Sequence, residues 1–102
     1  MIFDVRTDRS DNWHVVRVVG DVDLATMPAL KQQVDLVREG DVALDLGSVE
    51  LWDPVAFGIV VAAALRVRRR GGRFVVLAGP GRVRELFAEA QVDEIVEVRP
   101  SL

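Results

Sequence analysis

The sequence predicts an α/β domain built on a mixed, mainly parallel sheet. Two observations lead there. Runs rich in valine and other strand-forming residues alternate with segments whose apolar residues recur at helical spacing. Glycine or proline stands at most of the junctions between them. The resulting order is strand, strand, helix, strand, helix, strand, helix, strand. Strands that alternate with helices require parallel neighbours joined by right-handed crossovers. The first two strands, separated only by a polar turn, form an antiparallel pair at the N-terminus.

Ile2 to Arg6 alternates apolar and polar residues and is expected to be an edge strand, with Thr7 to Asn12 as the turn. Trp13 to Gly20 is strongly β-branched and pairs back on it; His14 is expected on its solvent side. A helix follows from about Thr26 to Arg38, where Leu30, Val34 and Val37 share a face. Asp23 or Thr26 suits its cap, Pro28 its first turn, and Gly40 stands beyond its end. Asp41 to Leu46 is a buried strand, ended by Gly47-Ser48, and the loop Ser48 to Trp52 carries apolar Val49, Leu51 and Trp52.

The next helix begins at Asp53-Pro54, an aspartate that can cap and a proline that wastes no donor, and runs to about Arg70. It is apolar nearly all round as far as Leu65, so its first turns must meet more than the sheet. Its basic last turn, Arg66 to Arg70, suits a helix C-terminus before Gly71-Gly72. Arg73 to Ala78 is a further buried strand. The turn Gly79-Pro80-Gly81 leads into a helix from Arg82 to Gln91 that faces the core with Val83, Leu86, Phe87 and Ala90. Ile95 to Val98 closes the sheet.

With 102 residues, half of them hydrophobic and 28% charged, the chain is expected to be one folded domain spanning 1–102. A net charge of −3 argues against nucleic-acid binding, which needs a basic field. The absence of cysteine excludes disulfides and thiolate zinc sites. His14 is the one histidine, without serine and carboxylate companions for a triad, and Asp21 and Asp23 suit turns and caps better than acid–base work. Gly79-Pro80-Gly81 matches neither a P-loop nor a dinucleotide fingerprint. No enzyme activity, cofactor or metal is expected. The start Met1-Ile2-Phe3-Asp4 lacks the features of a secretory leader, and the apolar run from Pro54 to Leu65 is too short to cross a bilayer, so a cytoplasmic protein without membrane insertion is expected.

Three segments in order carry a resemblance: GDVDLATMPAL (Gly20 to Leu30), LDLGSVELWD (Leu44 to Asp53) and GGRFVVLAGPGRVRELFAEAQV (Gly71 to Val92). Together they resemble a STAS domain, a family that includes the anti-sigma factor antagonists and the cytoplasmic domains of sulfate transporters. The fold implied agrees with the element order above. The resemblance implies a partner, an anti-sigma factor of the kinase-like type, whose capture frees a sigma factor. In the antagonists a phosphorylated serine follows the aspartate that ends the loop, in a pattern like D-S-S-G-L-G. Here the segment is Asp53-Pro54-Val55-Ala56-Phe57-Gly58: Asp53 and Gly58 match, and proline holds the phosphoacceptor position. Proline has no hydroxyl, so phosphorylation at that position is excluded, and phosphate on Ser48 or Thr26 would mark a displaced switch.

The partner-binding residues implied are Asp21, Asp23, Leu24 and Thr26 from one segment and Trp52, Asp53, Pro54, Val55 and Phe57 from the other. Trp52, placed in the loop, is the favoured aromatic anchor, whereas Phe57 is divided between interface and core. The alternative is a STAS subunit of a membrane transport or regulatory assembly. A homodimer is compatible with either.

Overall fold

Strand β1 (Asp4–Ser10) and strand β2 (Trp13–Val22) pair antiparallel around two residues, Asp11 and Asn12. The computed structural model describes residues 2–102. The stretch from Thr7 to Ser10, expected as turn, continues the strand: on an outer strand its polar side chains meet water at no cost. The chain continues through helix α1 (Met27–Asp35), strand β3 (Asp41–Trp52), a 3-10 turn (Pro54–Ala56), helix α2 (Phe57–Arg69), strand β4 (Phe74–Leu77) and helix α3 (Arg82–Glu89). A second 3-10 turn (Val92–Glu94) precedes strand β5 (Glu97–Arg99). The sheet order is β1-β2-β3-β4-β5, with every pair after the first parallel. The α/β class and the element order are those expected from the sequence.

Each crossover steps one strand in the same direction. With a common right hand, that places all three helices on one face. The main core accordingly joins Leu30 and Val34 of α1, Val60 and Ala64 of α2, and Phe87 of α3 to Val16, Val18, Leu44 and Val76 of the sheet. The opposite face carries a second, smaller cluster of Val15, Ala43, Val75 and Leu77, with Trp13 against it. These four are buried without a helix over them, because long charged side chains crowd that face. Arg17 bridges Asp8 and Asp45, each at 3.3 Å, and the Arg73 guanidinium stacks 4.6 Å from the Trp13 ring centroid while pairing with Asp41 at 2.8 Å.

Strand β3 departs most from expectation. The residues from Ser48 to Trp52 are strand, not loop, and pair with β2 as far as Val22↔Trp52. Twice along this pairing β3 advances three residues while β2 advances two, from Arg17↔Asp45 to Val19↔Ser48 and from Gly20↔Val49 to Val22↔Trp52. These irregularities act as bulges. They make the inward positions Leu46, Val49 and Trp52, a spacing of three instead of two. Gly20 sits beside them at φ 103°, and a Cβ there would lie 2.2 Å from the carbonyl oxygen of Ile2, so only glycine fits.

Smaller corrections have local causes. His14 stands two positions before Val16 and therefore faces the helices; it is half-buried with Gly40 against its ring, not on the solvent side. Helix α1 ends at Asp35, and Val37 reaches the core from the segment after it. Helix α3 ends at Glu89, leaving Ala90 exposed, because Gln91 adopts a left-handed conformation (φ 59°). The following 3-10 turn leaves Ile95 outside the final strand and buries Val92 and Val96.

Candidate functional site

The parallel strands β2 and β3 end side by side, and the chain leaves each of them through a tight, self-bonded turn. After β2, the side chain of Asp23 accepts from the backbone N–H groups of Ala25 at 3.0 Å and Thr26 at 3.1 Å. Thr26 Oγ1 donates to the carbonyl of Asp21 and accepts from the Asp23 N–H, both at 2.9 Å. Asp23 thus does the capping for the approach to α1, and the hydroxyl of Thr26 is committed to the turn. After β3, Asp53 Oδ1 accepts from the Val55 N–H at 2.9 Å, and Pro54 occupies the first position of the 3-10 turn. A single backbone bond, from the Asp53 N–H to the Val22 carbonyl at 2.9 Å, fastens the two turns together.

What this geometry presents outward is apolar with an acidic rim. Leu24 is 70% exposed, Val55 64% and Leu51 50%. Pro54 and Gly58 are exposed between them, while Asp21 and Asp53 are half-buried at the rim. No lysine or arginine lies in either turn.

Trp52 is placed differently from expectation. It is 3% exposed and faces the core, because the bulges of β3 turn it inward. Its ring centroid lies 5.7 Å from Phe57 and 5.5 Å from Phe87, and Phe57 meets Phe87 edge-on at 4.8 Å. Phe57 is 9% exposed. The three rings form a buried triangle that joins β3, α2 and α3 beneath the turn. The indole N–H of Trp52 has no acceptor among the described residues. So the structure joins Asp21, Asp23, Leu24 and Thr26 to Asp53, Pro54 and Val55, and sets Trp52 and Phe57 under them as support. Leu51, which the sequence reading does not place among the site residues, is exposed one residue before Trp52; its apolar character in a stretch expected to face water was the available signal.

A family model described as Mlab, STAS domain matches residues 5–97. The chain belongs to the STAS domain family. Among solved structures, an anti-sigma factor antagonist from Mycobacterium paratuberculosis is similar at 26% identity and a TM-score of 0.90, over 99% of this chain and 88% of that one. An antisigma-factor antagonist STAS domain from Rhodobacter sphaeroides is similar at 24% identity and a TM-score of 0.60, over 72% of this chain and 84% of that one. The Bacillus cell fate determinant SpoIIAA in its phosphorylated form is similar at 13% identity and a TM-score of 0.70, over 95% and 90%. The last two share the fold of this STAS domain. No curated protein sequence matches the chain. No helix among the described residues of this STAS domain is long and apolar enough to cross a membrane.

Proposed function

We propose that this STAS domain is a non-enzymatic cytoplasmic adaptor that binds an anti-sigma factor of the kinase-like type and so frees a sigma factor. The contact surface consists of Leu24, Pro54 and Val55, rimmed by Asp21, Asp23 and Asp53. Thr26 holds the first turn, and Trp52 and Phe57 hold the second from beneath. One observation carries the reading. In a domain similar over 99% of its length to an anti-sigma factor antagonist, the joined ends of β2 and β3 expose Leu24 and Val55. Both apolar side chains stand on fixed, hydrogen-bonded turns inside an acidic rim, and apolar groups at the centre of a polar rim suit a partner.

The family's phosphoacceptor position falls on Pro54. A phosphate there would place roughly −1.5 to −2 charges in the contact and break it by repulsion and desolvation. Without a hydroxyl the surface stays competent, so control lies with partner abundance or with another site.

The test is capture of purified kinase-type anti-sigma factors from the same genome, with Leu24→Asp and Val55→Asp as variants. Each variant is expected to lower affinity at least about tenfold while leaving the thermal midpoint nearly unchanged, since both side chains face water. Capture undiminished by both variants would overturn the proposed surface. Capture of a transporter ATPase in place of any anti-sigma factor would overturn the adaptor reading in favour of a transport subunit.

A further inference from the structure

Four arginines converge on one cleft at the far end of α2 from the turn surface. The cleft, about 530 Å³, is lined by Asp35, Val37, Arg38, Arg66, Arg69 and Arg70. Two of the four are explained by the fold. Arg66 pairs with Asp35 at 2.9 Å, and Arg70 donates to the carbonyls of Val37 at 3.1 Å and Gly40 at 3.0 Å, closing the end of α1 and the loop after it. Arg68, in the same turn, is likewise used, bonding the carbonyl of Ile95.

Arg38 and Arg69 are not explained in this way. Both are exposed, Arg38 on the loop after α1 and Arg69 at the end of α2, and neither side chain makes a hydrogen bond or ion pair among the described residues. Asp35, the one carboxylate in the lining, is already shared between Arg66 and Lys31, the latter at 2.5 Å. Unpartnered guanidinium groups facing one cleft repel each other, and an anion placed between them removes that repulsion. The concentration of positive charge stands against a chain whose net charge is −3.

We infer that this cleft is a second interaction surface, one that accepts an acidic segment of a protein partner. Guanidinium forks match carboxylates in pairs, and the fixed Arg66 and Arg70 form a base while the free Arg38 and Arg69 close over the ligand. The volume is several times what a lone phosphate fills and suits a short run of aspartate and glutamate side chains. No aromatic ring lines the cleft to stack a base, and the acidic chain as a whole repels a long polyanion, which disfavours nucleic acid. Helix α2, with 13 residues at about 1.5 Å each, separates this cleft from the turn surface by roughly 20 Å, so both can be occupied at once.

Fluorescence anisotropy with a labelled peptide rich in aspartate and glutamate tests this on the full chain. Wild-type protein is expected to bind it, and not the matching asparagine and glutamine peptide, with affinity that falls as salt rises. The double variant Arg38→Gln with Arg69→Gln should weaken binding about tenfold, whereas Arg6→Gln with Arg9→Gln, which removes the same charge elsewhere, should change it less than about twofold. Should the double variant lose its fold by circular dichroism, Arg38→Gln alone carries the same reading with a smaller loss. No binding by the wild type, or binding insensitive to Arg38 and Arg69, overturns the cleft. Equal or tighter binding of a single-stranded oligonucleotide, or full displacement of the peptide by millimolar inorganic phosphate, overturns the peptide as its ligand. Because the turn surface is untouched by these variants, the outcome is independent of the adaptor reading.

Discussion

The backbone N–H of Asp53 donates to the carbonyl of Val22 at 2.9 Å, and this bond sets the spacing of the two turns on which Leu24 and Val55 are displayed. Residues about thirty apart in sequence are thereby held as one surface. Its stability rests on the side chains of Asp23, Thr26 and Asp53, which hold the turns, and on Trp52 and Phe57 beneath them.

Asp53→Ala removes the acceptor for the Val55 N–H. Loss of such a cap costs about 1 kcal/mol, which lowers the thermal midpoint of a domain this size by roughly 4–8 °C. Asp53→Asn keeps the acceptor and should fall within about 0.5 kcal/mol of wild type. Calorimetry of the three proteins checks the difference.

Trp52 separates shape from hydrogen bonding. Trp52→Ala empties one corner of the triangle with Phe57 and Phe87 and should cost about 3–5 kcal/mol. Trp52→Phe keeps an aromatic ring and deletes an N–H that has no acceptor among the described residues, so it should cost less than about half as much. Urea unfolding curves for both variants decide this. Equal losses would show that the indole's volume, or a bond made by its N–H, matters more than the geometry implies.

Pro54→Ser restores a hydroxyl beside Asp53 at the start of the 3-10 turn. Giving up the constrained proline should cost about 0.4–1 kcal/mol. If the partner is a kinase-type anti-sigma factor, incubation with it and ATP should add one phosphate to Pro54→Ser and none to position 54 of the wild type, read by intact-mass and peptide spectrometry. The phosphorylated variant should then bind the partner more weakly than its unmodified form.

Acid stability should report the sheet face opposite the helices. Hydrogen bonds from the Arg73 side chain and backbone hold Asp41 below the ordinary aspartate value of 3.8. A carboxylate whose value is lowered by folding stabilises the fold above its unfolded value and loses that contribution as pH falls through its folded one. Asp41→Asn should therefore be less stable than wild type at neutral pH, and the gap should close below about pH 3.8. Thermal midpoints across that range test it; a gap independent of pH would assign the loss to the asparagine side chain instead of the charge.

Most of the architecture was readable from local pattern. Strand-forming runs such as Trp13 to Gly20, the capping pair Asp53-Pro54, and Phe87 with Val83 on one helical face are statements about neighbours in sequence, which period and propensity report directly. The turn surface was half readable. Leu24, Asp53, Pro54 and Val55 stand out through the family resemblance and the cap, but the composition of Gly47-Ser48 reads as a strand end and puts Trp52 in a loop. In the structure Asp45 accepts from the Gly47 N–H at 2.9 Å and the strand continues past it.

The sequence by itself thus determined the fold class, the order of the elements, the Asp53 cap on the turn that leads into α2 and the lack of a hydroxyl at position 54, since each depends on residue type and near neighbours. That the capped turn is a separate 3-10 turn, with α2 starting only at Phe57, came from the structure. Only the tertiary structure decided which way Trp52 points and that Leu24 and Val55 share a surface. Both depend on the register between β2 and β3, where two bulges change the inward spacing from two residues to three. That register is chosen by how β3 packs against its neighbour and against Phe87, residues distant along the chain, so no local pattern contains it.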